Sequence, residues 1–118
     1  MSPVVGQTNL LRQAGYTEED VFVDAPFKWP LSLTSGRARN VAKRNGCMWC
    51  HLWCFPGNED KLHEIAGKAG MKKSWFQNKK PNFPHYDIVP SRLSAVFKAG
   101  AVQWSLRDYI LYLRLTGR

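Results

Sequence analysis

Two histidines and two aspartates in this 118-residue chain have the right chemistry to handle protons near neutral pH. His51 and His85 are candidates for general acid and base. Asp24 and Asp87 are candidates to fix a histidine tautomer or hold a metal. Asp24 closes the apolar run Val21-Phe22-Val23, and His51 lies inside the apolar stretch from Trp49 to Phe55. His85-Tyr86-Asp87 follows a loop containing Pro81 and Pro84. Trp75-Phe76-Gln77 follows the stop signal Gly70. In all four places a polar or aromatic residue stands beside an apolar segment where a plain core would take Leu or Val. Ligand capture and catalysis need groups projected from element ends in this way. Trp75, Phe76 and Tyr86 offer rings to stack on a planar base, each stack worth about 1–3 kcal/mol. Singly, each residue has a plainer explanation: an Asp at a strand end is commonly a turn or cap residue, and a lone His is commonly just hydrogen-bonded. Taken together, they predict that Asp24, His51, Trp75, Gln77, His85 and Asp87 converge in one pocket.

The cysteines point elsewhere. Cys47, Cys50 and Cys54 form C-x-x-C-x-x-x-C, with His51 between them and His63 beyond. Zinc takes four tetrahedral ligands, normally as two close pairs. A second C-x-x-C or an H-x-x-x-H pair is missing. On a strand, Cys50 and Cys54 would share one face and His51 would take the other. This segment alone then builds no Cys/His site. A redox C-x-x-C opens a helix after a strand, which this one does not. The thiols are expected to be buried or half-buried, with no metal and no cofactor.

The elements that must position these groups follow from pattern. Residues 7–15 predict a short helix stopped by Gly15, and 21–24 a strand ended by Pro26. Residues 27–46 have no clean period and read as a long basic loop. Trp49 to Phe55 reads as a second strand, closed by Pro56-Gly57. Asn58 is placed to cap a helix over 59–69, with Leu62, Ile65, Ala66 and Ala69 on one face and Gly70 past its end. Pro90 and Ser91 open another helix, with Leu93, Val96 and Phe97 on one face and Gly100 as its stop. Residues 101–104 make a short strand. Ser105 with Asp108 forms a capping box opening a last helix, with Leu106, Tyr109, Ile110 and Leu113 expected inward. The order is strand, loop, strand, helix, connection, helix, strand, helix. It predicts a small single α/β domain over 1–118, on a three- or four-stranded sheet with about three helices. Residues 1–20 form an N-terminal extension.

Composition sets the outer limits. Hydrophobic residues at 44% and aromatics at 13% suffice for one core and argue against disorder. No apolar run approaches the roughly 20 residues that span a bilayer, so no membrane partner is expected. The N-terminus has neither a basic start nor a long apolar stretch, and three cysteines are an odd count. Both favour a cytoplasmic protein over a secreted disulfide scaffold. Net charge is +8, and it is uneven: residues 1–36 carry −2, residues 37–80 carry +7 and residues 81–118 carry +3. Arg37, Arg39, Lys43 and Arg44 make one cluster, and Lys72, Lys73, Lys79 and Lys80 another around Trp75 and Phe76. Such a field draws anions, whether nucleotides, nucleic acid or acidic proteins, although solubility alone also accounts for charge runs.

The pieces from Val21-Phe22-Val23-Asp24 through His51-Leu52, Trp75-Phe76-Gln77, Pro84-His85-Tyr86-Asp87 and Ser91-Arg92 to Ala99-Gly100-Ala101 resemble a small family of phage and bacterial proteins labelled domain of unknown function 4031. The likeness covers about residues 21–105. It implies a shared polar site made of Asp24, His51, Trp75, Phe76, Gln77, His85, Tyr86, Asp87 and Arg92, in a phage or bacterial cytosolic setting. It does not name a reaction. The extra N-terminal 20 residues, the basic 27–46 segment and the cysteines depart from the family pattern.

Three function classes follow. The first is a pocket that binds, and in its stronger form hydrolyses, a nucleotide-like phosphorylated small molecule such as an immune signalling nucleotide. An enzyme of this kind would be a hydrolase or phosphodiesterase. His51, His85, Asp87 and Asp24 would be its catalytic groups, and Trp75, Phe76, Gln77, Tyr86 and Arg92 would hold the ligand. The second is a nucleic-acid-binding module using the basic clusters, though no helix-turn-helix, zinc-finger or RNP signature supports it. The third is a protein-interaction module that blocks an acidic host surface.

Overall fold

Seven residues, Met48–Cys54, organise the chain by forming the longest strand. The computed structural model describes residues 10–28, 48–80 and 82–118. Along the chain run α1 (Leu10–Gln13), β1 (Val21–Val23), β2 (Phe27–Lys28), β3 (Met48–Cys54), α2 (Glu59–Lys68), a 3-10 turn (Lys73–Trp75), β4 (His85–Ile88), a second 3-10 turn (Pro90–Arg92), α3 (Leu93–Lys98), β5 (Val102–Gln103) and α4 (Leu106–Leu115). This is the expected small α/β domain; the described residues hold five strands where three or four were expected, and four α-helices where about three were.

β3 is the hub of a mixed sheet. It pairs antiparallel with β1 (Val23↔Leu52), with β2 (Phe27↔Trp49) and with β4 (His51↔Asp87, Trp53↔His85). β5 runs parallel to β1. Between Val23 and Phe27 lie three residues, and between their partners Leu52 and Trp49 lie two. Asp24–Pro26 is therefore a one-residue bulge, a device that re-aims a side chain out of the regular ladder.

The two-residue period of β3 splits the core into two layers. Cys50, Leu52 and Cys54 face Val21, Val23, Tyr86 and Ile88, together with Leu62, Ile65 and Ala66 of α2 and Val96 of α3. Phe22, Trp53 and Phe55 belong to the opposite layer, with Trp104, with Tyr109, Tyr112 and Leu113 of α4, and with Leu11 of α1. Helices thus cover both faces of the sheet. Leu11 is buried, and Glu18 accepts from the Tyr112 hydroxyl at 2.7 Å, so residues 10–20 of the expected extension are packed onto the domain.

Local details depart from expectation for identifiable reasons. β4 occupies what reads in sequence as a connection. Its burial alternates, with Tyr86 and Ile88 inside and His85 and Asp87 half-buried. β2 forms at the start of the expected loop, and the rest of that loop, with its basic cluster, lies outside the described residues, as does Cys47. Asn58 makes no side-chain cap to α2. Its Nδ2 donates instead to the Glu19 carbonyl at 2.7 Å, tying the helix start to the β1 approach. In α4 the Ser105 Oγ accepts from the Asp108 backbone N–H at 3.3 Å, as the capping box requires. The buried stripe of α4 is Tyr109, Tyr112 and Leu113. Ile110, expected inward, sits one helical step off that stripe and is 43% exposed. No helix among the described residues is long and apolar enough to cross a membrane.

Candidate functional site

The bulge puts Asp24 where its side chain substitutes for a ladder carbonyl. The Asp24 backbone N–H donates to the His51 carbonyl at 3.2 Å. In return, Asp24 Oδ1 accepts the His51 backbone N–H at 2.6 Å, and Oδ2 accepts the His51 ring at Nδ1, 2.7 Å away. A carboxylate can only accept here, so Nδ1 carries the proton and Nε2 is free for chemistry.

β4 brings the second histidine to the same face. His51 stands opposite Asp87 and Trp53 opposite His85, so His85 and Asp87 flank the His51 ring from the neighbouring strand. The rings of His51 and His85 are 5.7 Å apart and nearly perpendicular. His85 Nδ1 lies 2.9 Å from the Phe83 carbonyl, which fixes the same tautomer as in His51. Both Nε2 atoms then face one oxygen, Asp87 Oδ1, at 3.9 Å from His51 and 3.6 Å from His85. The other oxygen of Asp87 is held by Gln77, whose Nε2 donates at 2.6 Å. Gln77 is placed by an isolated antiparallel bridge to His85. Asp24 is 11% exposed and Asp87 39%, so the cluster opens to solvent past Asp87.

The two imidazoles sit in different electrostatic surroundings. Burial pushes His85 below the ordinary histidine value. The Phe83 carbonyl and Asp87 oppose that shift, while His51 and Lys80 add to it. His85 is thus the neutral, proton-accepting member at pH 7. His51 lies between two carboxylates, Asp24 and Asp87.

Phe27 stacks on His51 at 4.7 Å and Phe83 on His85 at 4.1 Å. Beside them opens a groove of about 300 Å³, lined by His51, Lys80 and Phe83 and by Leu106, Tyr109 and Ile110 of α4. Phe27, Phe83 and Lys80 are thus neighbours of the site that the motifs did not reveal. Phe83 was within reach of pattern alone: it stands two residues before His85, on the same side of an extended chain.

Of the expected site residues, Asp24, His51, Gln77, His85 and Asp87 come together. Tyr86 does not join them. It alternates to the opposite face, where it is buried and its hydroxyl meets His63 Nδ1 at 2.7 Å. Phe76 packs there too, 4.6 Å from the His63 ring and 5.6 Å from Tyr86. Arg92 Nη1 donates to the Ala69 carbonyl at 2.8 Å, closing the C-terminus of α2, and its guanidinium lies 5.8 Å over the Trp75 ring. Trp75 is 39% exposed and packs against Arg92, not against a histidine of the cluster. The expected single pocket therefore separates into a His/Asp/Gln cluster and a distinct Trp75–Arg92 pair.

Cys50 and Cys54 are fully buried in the opposite layer, facing away from His51 as the strand period dictates. Burial pushes their thiols up to about 11 and about 12, with Asp24 adding to the first and Glu59 to the second. Among the described residues no group of three His, Cys, Asp or Glu side chains is disposed, as placed, to hold a metal ion.

No curated protein and no solved structure matches the chain. The family profile described as Protein of unknown function (DUF4031) matches residues 38–116, which span β3 with His51, β4 with His85 and Asp87, and Gln77 between them. The match covers two-thirds of the chain, and the chain belongs to the DUF4031 family.

Proposed function

We propose that the chain binds and hydrolyses a nucleotide-like phosphorylated small molecule, with His85 as general base and His51 as general acid. The observation that carries this reading is the convergence of two tautomer-fixed Nε2 atoms on the single oxygen Asp87 Oδ1. In the step we envisage, His85 Nε2 takes a proton from water as the water oxygen bonds to phosphorus. The bond from phosphorus to the leaving oxygen breaks, and that oxygen takes the Nε2 proton of the His51 imidazolium, whose Nδ1–H stays on Asp24. Exchange with solvent resets both rings. Lys80, close enough to depress the basicity of His85, supplies positive charge for the phosphate.

The test is a panel of mono-, di- and cyclic nucleotides incubated with purified protein, read by thermal shift and by product chromatography. The expected result is one ligand class that raises Tm and yields a cleaved product. His51→Ala and His85→Ala should each lower the rate about 10²–10⁴-fold. A panel that gives neither shift nor product overturns the reading.

One observation favours a second reading, nucleic-acid binding. Trp75 is exposed on a segment that also exposes Lys72 and Lys73, with Lys79 and Lys80 exposed a few residues on. There the logarithm of affinity should fall with the logarithm of salt by about 0.7–0.9 per phosphate contact. A shallow slope with a small ligand favours the first reading.

A further inference from the structure

We infer that the groove that Lys80, Asn82 and Phe83 form with α4 takes a flat apolar ring attached to the phosphate handled by His51. This inference rests on the phosphate reading above and adds the ligand's second half. The groove has about 300 Å³ of space, at the lower end of the roughly 300–1,000 Å³ typical of small-molecule sites. It suits one ring system with its phosphate better than a stretch of polymer.

The lining of the groove offers two kinds of chemistry. His51 and the Lys80 ammonium suit an anion, and Phe83, Leu106 and Ile110 suit an apolar group. Ile110 is 43% exposed, although the stripe it borders is otherwise buried. A large aliphatic side chain left in water at the wall of a groove, one residue along from Tyr109, is a surface that a ring would cover.

The groove is also built rather than incidental. The Tyr109 hydroxyl donates to the Asn82 carbonyl, pinning the loop onto α4. Asn82 holds φ +64, a left-handed conformation that Asn tolerates better than most residues. The next residue, Phe83, supplies the carbonyl that fixes the His85 tautomer and the ring that stacks on His85. One residue therefore forms a wall of the groove and orients the proposed base. The ring-stacking role expected of Trp75, Phe76 and Tyr86 passes to Phe83 and Ile110.

The test uses two phosphonates that cannot be hydrolysed, phenylphosphonate and methylphosphonate, titrated by NMR. The resonances followed are the His51 ring and the Ile110 δ1 methyl. Phenylphosphonate should shift both and bind at least about tenfold tighter than methylphosphonate, the return expected for taking a ring out of water. Ile110→Glu, checked for folding by its thermal melt, should abolish that advantage. Leu106→Ala should reduce it. Equal affinities, with His51 alone shifting, overturn the groove assignment and leave the phosphate reading standing. A shift at Ile110 without one at His51 overturns the link between groove and histidines. No shift at either overturns both.

Discussion

Asp24 accepts both of the protons that His51 presents to it, the backbone N–H at 2.6 Å and the ring Nδ1–H at 2.7 Å. A single carboxylate thus sets both the position of the strand residue and the tautomer of its side chain. The bulge makes this possible, because the extra residue frees the Asp24 side chain to act as a ladder acceptor.

Replacing that carboxylate by an amide changes the chemistry without changing the shape. In Asp24→Asn one oxygen still accepts the backbone N–H, and the NH2 faces the ring. The ring must then accept at Nδ1 and carry its proton on Nε2. Long-range nitrogen–proton NMR of the imidazole should show the Nδ1–H form in the parent chain and the Nε2–H form in Asp24→Asn. Hydrolysis should fall about 10²–10⁴-fold with it. Asp24→Ala leaves the His51 backbone N–H without its acceptor, at a cost of about 1–3 kcal/mol in a denaturant melt.

Acid sensitivity should trace to His85. Its folded value lies below the ordinary 6.5, chiefly through burial. Above 6.5 the ring is neutral in both folded and unfolded chains and contributes no difference. As pH falls below 6.5 the unfolded chain takes up a proton that the folded chain refuses, and stability is lost until the folded ring titrates in turn. His85→Gln should remove this portion of the acid loss. Lys80→Met should raise the His85 titration midpoint, and Asp87→Asn should lower it further. The ring-proton shift of His85 followed against pH reads all three.

Much of the architecture was legible because it rests on apolar period. Leu62, Ile65 and Ala66 gave α2, Ser105 with Asp108 gave the start of α4, and the run into Cys54 gave β3. The site was only partly legible. Asp24, His51, Gln77, His85 and Asp87 could be named from residue type, but their convergence depends on β4. That strand is four residues long and hides its alternation behind polar side chains. Had His85-Tyr86-Asp87-Ile88 been read at period two, Tyr86 would have gone to the core and Phe83 to the site. Arg92 shows a different limit. Its partner is a backbone carbonyl 23 residues earlier, and no sequence pattern announces such a contact.

Arg92 should accordingly be a stability residue. Gly70, at φ +81, ends α2 in a left-handed turn, and a Cβ there would lie 3.2 Å from Arg92 Nη1. The guanidinium therefore packs directly over the turn while it satisfies the Ala69 carbonyl. Arg92→Met should cost about 1–3 kcal/mol in a denaturant melt. Affinity for the small ligand, and the His51 and His85 resonances, should not move. The sequence reading instead makes Arg92 a phosphate contact, for which charge reversal abolishes binding. A binding titration of Arg92→Met at a temperature where it is fully folded separates the two outcomes.

The buried thiols should be inert, and their loss should be felt. Reactivity requires both access and the thiolate form. Cys50 and Cys54 have no exposed surface, and their values near 11 and 12 leave roughly one thiol in a thousand or fewer ionised at pH 8. Iodoacetamide at pH 8 should leave both unmodified in the native chain and modify both in denaturant, as read by peptide mass spectrometry. Both side chains pack among Val21, Leu52 and Leu62 in the layer under α2. Replacing Cys50 by Ser places a hydroxyl among apolar neighbours, at about 1–3 kcal/mol, whereas at Cys54 the Asn58 backbone N–H offers a partner and lessens that cost; replacing either by Ala leaves a small void. The sequence alone suggests that the cysteines are dispensable for folding. The packing instead predicts a chain that still folds but melts at a visibly lower denaturant concentration, more so for Ser than for Ala. An unchanged midpoint in the Cys50→Ser, Cys54→Ser double variant would show that this layer tolerates a hydroxyl and that the packing at β3 is looser than its burial implies.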